Sequence, residues 1–476
     1  MKKYKLAFVS GNFTIIHPGH IRILKFAKDM AHKLVVGVNS DEYLTAQKIV
    51  TEEERFDYIK SLSFVDDVFI IKKSIASYIR DLKPDIVVKG DEWSKKNNPE
   101  EIELEKYGGK IIFSSGDNYF NSKNFSYFEK NFNSFINPIQ YINRNKIDLK
   151  AVKDNLNHLK NLKIAVFGDL ILDIYKECSP VGLSQEDMNV VYNQTSQNSY
   201  LGGAGIVAAH ARSFSKNVDF YSIIGDDIEG KKIIKLLNEY KVNCKNILID
   251  KTRPTTSKVR FIHNKKSLFR LSEYHTQKLD INIENRFKKS LEIKNKNYDL
   301  IIFSDFNYGF LTKKFIDFIL KKFHKSFIVA DSQSSSQIGN LNKYSNVDII
   351  IPTEHEARSS MHDNESGIAE ISAKVSKLIN CKYVLLKLGE DGVLVNDFSN
   401  KKNKIEQIPA LNSYPVNVSG AGDSMLVLSS LYYSYSKNIN EAALIGSIAS
   451  AIQISKFGNI PVTLNEVDLV LDSWMH

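Results

Sequence analysis

A short glycine-containing segment places an acidic residue beside the start of a predicted helix. Gly420-Ala421-Gly422-Asp423 follows an extended run and precedes an apolar, helix-forming run. Small residues in the first turn of a helix leave backbone N–H groups uncovered, and with the helix dipole these groups bind anions. A carboxylate beside such a site can take the proton of a hydroxyl group that attacks the anion. The segment therefore predicts an anion hole with a general base at Asp423, although Asp is also a common helix cap.

A second segment, residues 11–20, carries two histidines around a Pro-Gly pair. His17 and His20 flank Pro18 and Gly19 at a predicted helix start. Histidines placed there can donate hydrogen bonds to the oxygens of a phosphate under attack. Two surface loop histidines beside a helix-start proline are the simpler alternative.

The elements around both segments predict parallel sheets. Short apolar runs such as YKLAFV and PDIVVKG alternate with helical patterns up to about residue 125, and a second alternating series begins at residue 162. This alternation is typical of doubly wound parallel sheets, whose ligands bind beyond the carboxyl ends of the strands. Segments 189–196 and 255–271 alternate apolar and polar residues and predict a small antiparallel lid. Thr51 and Glu54 predict a capping box, and residues 150–162 predict one amphipathic helix.

Bulk properties narrow the class of protein. A chain of 476 residues is too long for one ordinary domain. The net charge of +9 comes from dispersed lysines rather than a dense basic block, which argues against nucleic-acid binding. No apolar run is long enough for a membrane span or a signal peptide. Three cysteines without CxxC spacing predict a reducing, cytoplasmic setting.

Residues 4–125 resemble the nucleotidyltransferase superfamily in its cytidylyltransferase-like branch. The loop at His17–His20 is similar to the family's HxGH signature, and VVGVNSDEY and PDIVVKGDEW match further pieces. The resemblance implies that His17 and His20 stabilise the transition state and that Lys48 and Arg55 reach phosphates. It implies a nucleotide pocket formed by Gly11, Phe13, Thr14, Lys89, Gly90 and Asp91. Thr14 stands where the family usually has Asp, and the late Ser-Thr segment is faint.

Residues 162–465 resemble the ribokinase/PfkB-like carbohydrate kinases, and most of all the kinase half of bifunctional heptose-phosphate kinase/adenylyltransferases. The matching pieces occur in the family's order: GDLILDIY, GLSQEDMNVVY, LGGAGIVAAHA, PTTSKVRFI with LFRLSEY, SDFNYG, PTEHEA, LGEDG, VSGAGDS and AIQISKFGN. The implied fold is α/β, with an N-terminal Rossmann-like nucleotidyltransferase and a C-terminal ribokinase-like domain with a β lid.

The kinase resemblance implies roles for particular residues. Asp423 is the expected base, with Gly420, Ala421 and Gly422 as the anion hole. Glu356 is expected to organise Mg²⁺ indirectly, and Gly389 and Gly392 to lie along the nucleotide. The expected sugar-binding residues are Asp169, Asp173, Gly202, Gly203, Lys258, Arg260 and Arg270. Helix caps and solvated lid charges are the simpler alternatives for several of these.

Three positions depart from the kinase pattern: Thr353 and Asn417 replace a usual Asn and Asp, and Ile206 replaces a sugar-contacting Asn. The order of the two domains is also reversed relative to the familiar heptose enzyme. The predicted boundaries are 1–130 for the transferase, 131–160 for a linker and 161–476 for the kinase.

The resulting hypothesis is a bifunctional enzyme of nucleotide-activated sugar synthesis. Its kinase would phosphorylate a heptose 7-phosphate-like sugar with Mg²⁺ and ATP, and its transferase would form an ADP-heptose-like product. Two alternatives remain: another sugar or polyol phosphate handled with CTP, or an active kinase carrying a degenerate N-terminal binding domain. The expected partners are a sugar phosphate and a nucleoside triphosphate, without nucleic acid or membrane, in a homodimer formed through the lid.

Overall fold

A computed structural model describes most of the chain. The described residues are 4–13, 18–43, 51–90, 98–114, 135–184, 186, 189–263, 266–294, 296–333, 340–399, 404–413 and 415–475. The chain divides into two compact units, of which the first holds residues 1–147 with two short later segments, 361–374 and 404–409. The second holds the remainder. None of the helices in the described ranges is long and apolar enough to cross a membrane.

The first unit is built on a parallel five-stranded sheet. Its strands are β1 (Tyr4–Gly11), β2 (Ala31–Asn39), β3 (Asp67–Ile71), β4 (Ile86–Gly90) and β5 (Lys110–Ser114). They lie in the order β3-β2-β1-β4-β5, with all neighbours parallel. Both faces must be covered in such a sheet, which is why its strands are continuous apolar runs. The doubly wound fold predicted for this part is confirmed.

Helices follow the strands of the first unit in the expected alternation. They are α1 (Pro18–Met30), α2 (Glu52–Lys60), α3 (Ile75–Leu82), α4 (Pro99–Glu105) and α5 (Ile139–Arg144). The predicted capping box opens α2: the Thr51 hydroxyl accepts from Glu54 N, and the Glu54 carboxylate accepts from Thr51 N at 2.9 Å. One core cluster beneath these helices contains Phe8, Val35, Ile71, Ile79, Val87 and Leu104.

The main sheet of the second unit is also largely parallel. Within this unit the sheet has eight strands: β6 (Lys163–Gly168), β9 (Asn217–Ile224), β10 (Asn243–Ile249), β13 (Leu300–Asp305), β14 (Phe327–Ser332), β15 (Ile349–Ile350), β16 (Tyr383–Lys387) and β17 (Val393–Asp397). Their order is β10-β9-β6-β13-β14-β15-β16-β17, and a further strand, β18 (Lys404–Ile408), lies in a segment of the first unit. Neighbours from β10 to β16 are parallel, and β17 is antiparallel to β16.

The lid is a separate four-stranded sheet. Its strands are β7 (Leu170–Leu183), β8 (Val190–Gly203), β11 (Ser257–His263) and β12 (Lys266–Glu273), in the order β12-β11-β7-β8. The outer pairs are antiparallel as predicted, but β7 and β11 run parallel, so the lid is a mixed sheet. The strand predicted at 189–196 extends to Gly203 because it pairs with the long β7 along its length.

Helices surround the main sheet of the second unit. They are α6 (Leu149–Leu156), α7 (Ala204–Phe214), α8 (Ile228–Glu239), α9 (Ile281–Lys294), α10 (Lys313–Lys322), α11 (Glu354–Met361), α12 (Ile368–Ile379), α13 (Ala421–Ser436), α14 (Ile439–Ile454) and α15 (Leu464–Met475). Met361 at the end of α11 and residues 368–374 of α12 are assigned to the first unit, and the rest of both helices to the second.

The predicted lead-in helix over 150–162 is shorter than expected. α6 ends at Leu156, and a separate 3₁₀ turn covers Leu159–Asn161. Asn157 and His158 lie between them, and both residue types have low helix propensity. The two units divide between Ile147 and Asp148, inside the segment expected to be linker.

Candidate active site

Polar side chains of the second unit gather where the central parallel strands end. Asp169 directly follows β6, Asp305 ends β13, Asp331 lies near the end of β14, Thr353 follows β15 and Lys387 ends β16. Because these strands are parallel neighbours, their carboxyl ends share one edge of the sheet. Ligands bind in the crevice at that edge of doubly wound sheets. The start of α13 is joined to the same crevice by the contacts of Asp423 and Gly422 described below.

The residues predicted to form an anion hole lie at the start of α13. Gly420 precedes α13 with φ of 79°, a left-handed conformation that favours glycine. A Cβ there would lie 2.8 Å from Asn459 Oδ1, so a larger residue is excluded by contact as well. The first helical hydrogen bond runs from Ser424 N to Gly420 O. The preceding first-turn N–H groups, at Ala421 and Gly422, have no acceptor within the helix and are available to an anion.

Asp423 is buried in the first turn of α13. Its Oδ1 accepts a hydrogen bond from Gln333 Nε2 at 2.7 Å. Burial raises the pKa of Asp423 to about 6, against the lowering effects of that hydrogen bond and of the Lys387 ammonium. A carboxyl with this pKa is ionised at neutral pH and still accepts a proton readily, as a general base requires.

A buried ion pair lies beside the predicted anion hole, and neither of its residues is among the site residues predicted from the sequence. Lys387 Nζ contacts Asp331 Oδ2 at 2.8 Å, with 11% and 0% of the side chains exposed. A Cβ on Gly422 would lie 3.1 Å from Lys387 Nζ. Both charged residues interrupt the ends of apolar strand runs, FIVADS and YVLLK, and that signal could have marked them.

The two predicted sugar-binding aspartates are both buried at the base of the lid. Asp169 Oδ2 accepts from Phe306 N at 2.9 Å and from Tyr308 N at 3.3 Å. Burial and the nearby charge of Asp305 raise the pKa of Asp169 to about 7. Asp173 forms an ion pair with Arg260 and accepts from Asn459 Nδ2 at 3.0 Å.

Gly202 and Gly203 make room for these aspartates. A Cβ on Gly202 would lie 2.3 Å from Asp173 Oδ2, and one on Gly203 would lie 2.4 Å from the Asp169 carbonyl oxygen. Gly203 also has φ of 56°. Both glycines therefore allow close contact with the two predicted sugar-binding aspartates. Their expected close approach to a sugar stays a prediction.

The three predicted cations of the lid occupy different settings. Lys258 is buried, its Nζ lies 4.8 Å from the ring centre of Phe306, and burial lowers its pKa to about 8. Arg260 lies 5.1 Å from the Tyr175 ring while it pairs with Asp173. Arg270 is exposed and lies directly opposite Arg260 in the antiparallel pair of β11 and β12, on the same face.

Glu356 takes part in a capping box at the start of α11. Thr353 N donates to Glu356 Oε2 at 2.7 Å, and Glu356 N donates to Thr353 Oγ1 at 3.1 Å. The Thr that replaces the family's Asn therefore serves as a helix cap that fixes the Glu356 carboxylate. Among the described residues no group of three or more side chains could hold a metal ion alone. One fixed carboxylate fits a nucleotide-borne Mg²⁺, which keeps water and phosphate oxygens as its other ligands.

The remaining predicted positions of the second unit have simple structural settings. Gly389 and Gly392 lie in one tight turn with φ of 63° and 86°, and Leu388 N donates to Gly392 O at 2.8 Å. Ile206 is wholly buried in α7. Asn417 Oδ1 accepts from Ser419 N at 2.9 Å, so it shapes the loop that enters α13.

The first unit contains part of the predicted nucleotide site. His20 lies in the first turn of α1, and its ring packs edge-on against Phe13 at 5.2 Å between ring centres. Phe13 has φ of 49° and covers Gly11, where a Cβ would lie 3.1 Å from its ring. Gly90 ends β4 and is buried. Thr14, His17, Lys48 and Asp91 lie outside the described residues.

Arg55 and Lys89 make buried contacts with the protein itself. Arg55 donates to Asn12 O at 2.5 Å and Asn39 O at 2.8 Å, and it pairs with Asp41 at 2.6 Å. Lys89 Nζ contacts Glu100 Oε1 at 2.7 Å. In this arrangement Arg55 ties together the loops that follow β1 and β2. The phosphate contact expected from the sequence stays a prediction.

Comparisons with known proteins match two parts of the chain to two family models. Residues 8–121 match the family model described as cytidylyltransferase-like, and residues 161–465 match that of the pfkB family carbohydrate kinases. The order of these matches confirms the predicted order of transferase and kinase.

Curated relatives carry the name bifunctional protein HldE. The protein of Helicobacter acinonychis (strain Sheeba) is 29% identical over 315 residues, covering 65% of this chain and 66% of the relative. The protein of Sulfurimonas denitrificans (strain ATCC 33889 / DSM 1251) is 27% identical over 312 residues, covering 64% of this chain and 63% of the relative. The chain thus spans just under two thirds of the length of the curated relatives it matches.

Solved structures support the fold of the second unit. A ribokinase from Thermotoga maritima is similar with a TM-score of 0.51 and 20% identity, covering 65% of this chain and 99% of that one. Phosphofructokinase-2 from Escherichia coli is similar with a TM-score of 0.53 and 14% identity, covering 66% of this chain and 100% of that one. The ribokinase-like fold predicted from the sequence is confirmed. Since the carbohydrate-kinase model matches residues 161–465, well over half of the 476 residues, the chain belongs to the pfkB family of carbohydrate kinases.

Proposed function

We propose that the chain is a bifunctional enzyme that phosphorylates a sugar phosphate and then joins the product to a nucleotide. The observation that carries the kinase half is Asp423, a buried carboxylate with a raised pKa in the first turn of a helix whose amides face an anion site. The cytidylyltransferase-like match over residues 8–121 supports the second activity.

The kinase step follows from the position of Asp423. Asp423 takes the proton of a sugar hydroxyl, the hydroxyl oxygen forms a bond to the γ-phosphorus of ATP, and the bond to the β-phosphate oxygen breaks to release ADP. The first-turn amides of α13 stabilise the charge on the phosphoryl oxygens. Mg²⁺ would neutralise charge on the nucleotide phosphates, and Glu356, fixed by Thr353, is the residue of this chain that would face it.

The sugar site has charges of both signs. Asp169 and Asp173 would accept hydrogen bonds from sugar hydroxyls. Lys258, Arg260 and Arg270 would hold an anionic group such as a sugar phosphate, which agrees with their position on the lid. The leading substrate, by the family resemblance, is a heptose 7-phosphate phosphorylated at its anomeric hydroxyl. The leading product of the whole enzyme is an ADP-heptose-like sugar.

The nucleotidyltransferase half would use the loop that follows β1. His20, at the start of α1, and His17 would stabilise the α-phosphate while a sugar 1-phosphate displaces pyrophosphate. The alternative is a transferase that uses CTP with another sugar or polyol phosphate. Three cysteines, all free, fit the proposed cytoplasmic setting.

The deciding experiment supplies purified protein with a panel of seven-carbon and six-carbon sugar phosphates. We expect ADP from Mg²⁺-ATP with a heptose phosphate, then pyrophosphate and a nucleotide sugar when ATP is the second nucleotide. Pyrophosphate from CTP alone would establish the alternative. His20→Ala should leave ADP formation intact and abolish pyrophosphate release; a variant that still releases pyrophosphate would contradict the transferase assignment.

The lid also suggests how two copies associate. Val181, Leu183, Val190 and Val191 are exposed apolar residues at the tip of the β7–β8 hairpin, where Leu183 pairs with Val190. We propose that this apolar tip contributes to a homodimer.

A further inference from the structure

Lys387 occupies an electrostatically unusual position beside the anion hole. A Cβ on Gly422 would lie 3.1 Å from its Nζ, so glycine at 422 leaves room for the ammonium against the first turn of α13. The start of a helix carries partial positive charge and disfavours a nearby cation. Lys387 is nevertheless nearly buried there, with 11% of its side chain exposed.

The surrounding charges hold the ammonium in place. Asp331 lies near the end of β14, and its Oδ2 contacts Lys387 Nζ at 2.8 Å. The carboxylates of Glu356 and Asp423 also attract the Lys387 ammonium. Together with Asp331 they raise the pKa of Lys387, against the lowering effect of burial. The contact with Asp331 therefore holds the Lys387 ammonium in position and favours its charged form.

An anion at the start of α13 would resolve this unfavourable arrangement. It would accept hydrogen bonds from the first-turn amides on one side and face the Lys387 ammonium on the other. Both sources of positive charge then act on one ligand, and a site sheltered from water makes such interactions stronger than they are in solvent.

Resting on the proposed kinase function, we infer that Lys387 contacts the phosphoryl group during its transfer and that Asp331 is the residue that positions it. As the bond from the sugar oxygen to phosphorus forms and the bond to the ADP oxygen breaks, charge is spread over the phosphoryl oxygens. Lys387 stabilises that charge, and the proton of the sugar hydroxyl still goes to Asp423.

Lys387→Met tests the inference, because it removes the charge and keeps an unbranched side chain. We expect kcat for sugar phosphorylation to fall about 100- to 1,000-fold, with unchanged affinity for the sugar phosphate. Calorimetry should show weaker binding of a β,γ-imido analogue of ATP and unchanged binding of ADP. Equal weakening of both nucleotides, or unchanged kcat, would overturn the inference.

A pH profile separates this role from an indirect effect on the base. If Lys387 only kept Asp423 ionised, the activity of Lys387→Met would return at higher pH. We expect the defect to persist across the profile, and full recovery at high pH would overturn the assignment.

Two further variants guard against damage to the fold. Lys387→Met leaves Asp331 buried without its counter-charge, so the pair Asp331→Asn/Lys387→Met removes both charges together. We expect this double variant to fold and to remain slow; restored turnover would contradict a direct role for the ammonium. Lys382→Met is the matched control, since Lys382 precedes the same strand, is 63% exposed and pairs with Asp348. Lys382→Met should phosphorylate the sugar phosphate with the same kcat as the unaltered protein.

The outcomes distinguish this inference from the proposed function. Unaltered protein that forms no ADP with any sugar phosphate would remove the kinase proposal itself. Active unaltered protein together with an equally active Lys387→Met variant would remove only the role of Lys387.

Discussion

Asp423 shows how one buried carboxylate becomes suited to its chemistry. An ordinary aspartate is a weak base because its pKa lies near 4. Burial raises the pKa of Asp423 to about 6, while Gln333 and Lys387 limit the rise, so the group stays ionised at neutral pH.

The pH dependence of the kinase follows from this value. Because the base must be ionised, we expect kcat/KM to fall as the pH drops through about 6, rather than through about 4. Asp423→Asn should abolish ADP formation at every pH and leave the fold intact. Asp317→Asn, which breaks an exposed pair with Lys313, serves as the control. Substantial turnover by Asp423→Asn would contradict its assignment as the base.

Arg55 provides a contrasting case, a charged residue placed to support structure. It is 1% exposed and joins Asn12 O, Asn39 O and the Asp41 carboxylate. Arg55→Met should lower the stability of the first unit by about 3 kcal/mol or more, because buried acceptors lose their donors. Calorimetric unfolding would measure the loss, and kinase turnover should be unchanged. Unaltered stability with a raised KM for the nucleotide would instead support the phosphate contact expected from the sequence.

At the scale of elements, the start of α11 links helix stability to the site. Thr353→Ala removes the cap of α11 and should cost about 1 kcal/mol, and it weakens the reciprocal capping box in which Thr353 N donates to the Glu356 carboxylate. We therefore expect a higher Mg²⁺ requirement for ADP formation. Thr353→Asn, which keeps a good capping residue, should behave like the unaltered protein.

A second capping box offers a matched control for this prediction. Thr463 and Glu466 make the same reciprocal contacts at the start of α15, with Thr463 N donating to Glu466 Oε2 at 2.8 Å. Thr463→Ala should cost similar stability and leave the Mg²⁺ requirement unchanged. If Thr353→Ala and Thr463→Ala raise the Mg²⁺ requirement equally, the effect comes from general destabilisation and not from Glu356.

Local patterns predicted the elements well, because strand runs and caps are encoded by neighbouring residues. The buried strand KIAVFG and the Thr51–Glu54 box both appear in the structure. The pairing of Asp331 with Lys387 was not predictable in the same way, since 56 positions separate them and only the order β14-β15-β16 brings them together. The parallel pairing of β7 with β11 likewise depends on where two distant strands meet.

At the scale of the whole molecule, the apolar tip of the lid bears on association. Leu183 is 74% exposed and Val190 48%. If the tip forms a dimer contact, Leu183→Lys should shift sedimentation from dimer to monomer, because a charge at a packed interface is costly to desolvate. Val418→Lys alters an apolar residue that is 70% exposed elsewhere and should leave the state unchanged. A monomer at all concentrations before any substitution would contradict the proposal.

The chain first enters the lid from the main sheet through one residue. β6 ends at Gly168 and β7 begins at Leu170, so Asp169 alone joins them, and its carboxylate is held by Phe306 N and Tyr308 N. Any rotation of the lid about this junction would pivot at Asp169, which we propose to bind the sugar. Asp173 lies four residues along β7, a lever arm of about 13 Å at roughly 3.3 Å per residue. A rotation of about 10° would move Asp173 by about 2 Å on that arm and leave Asp169 in place, so lid rotation would change the distance between the two proposed sugar-binding carboxylates.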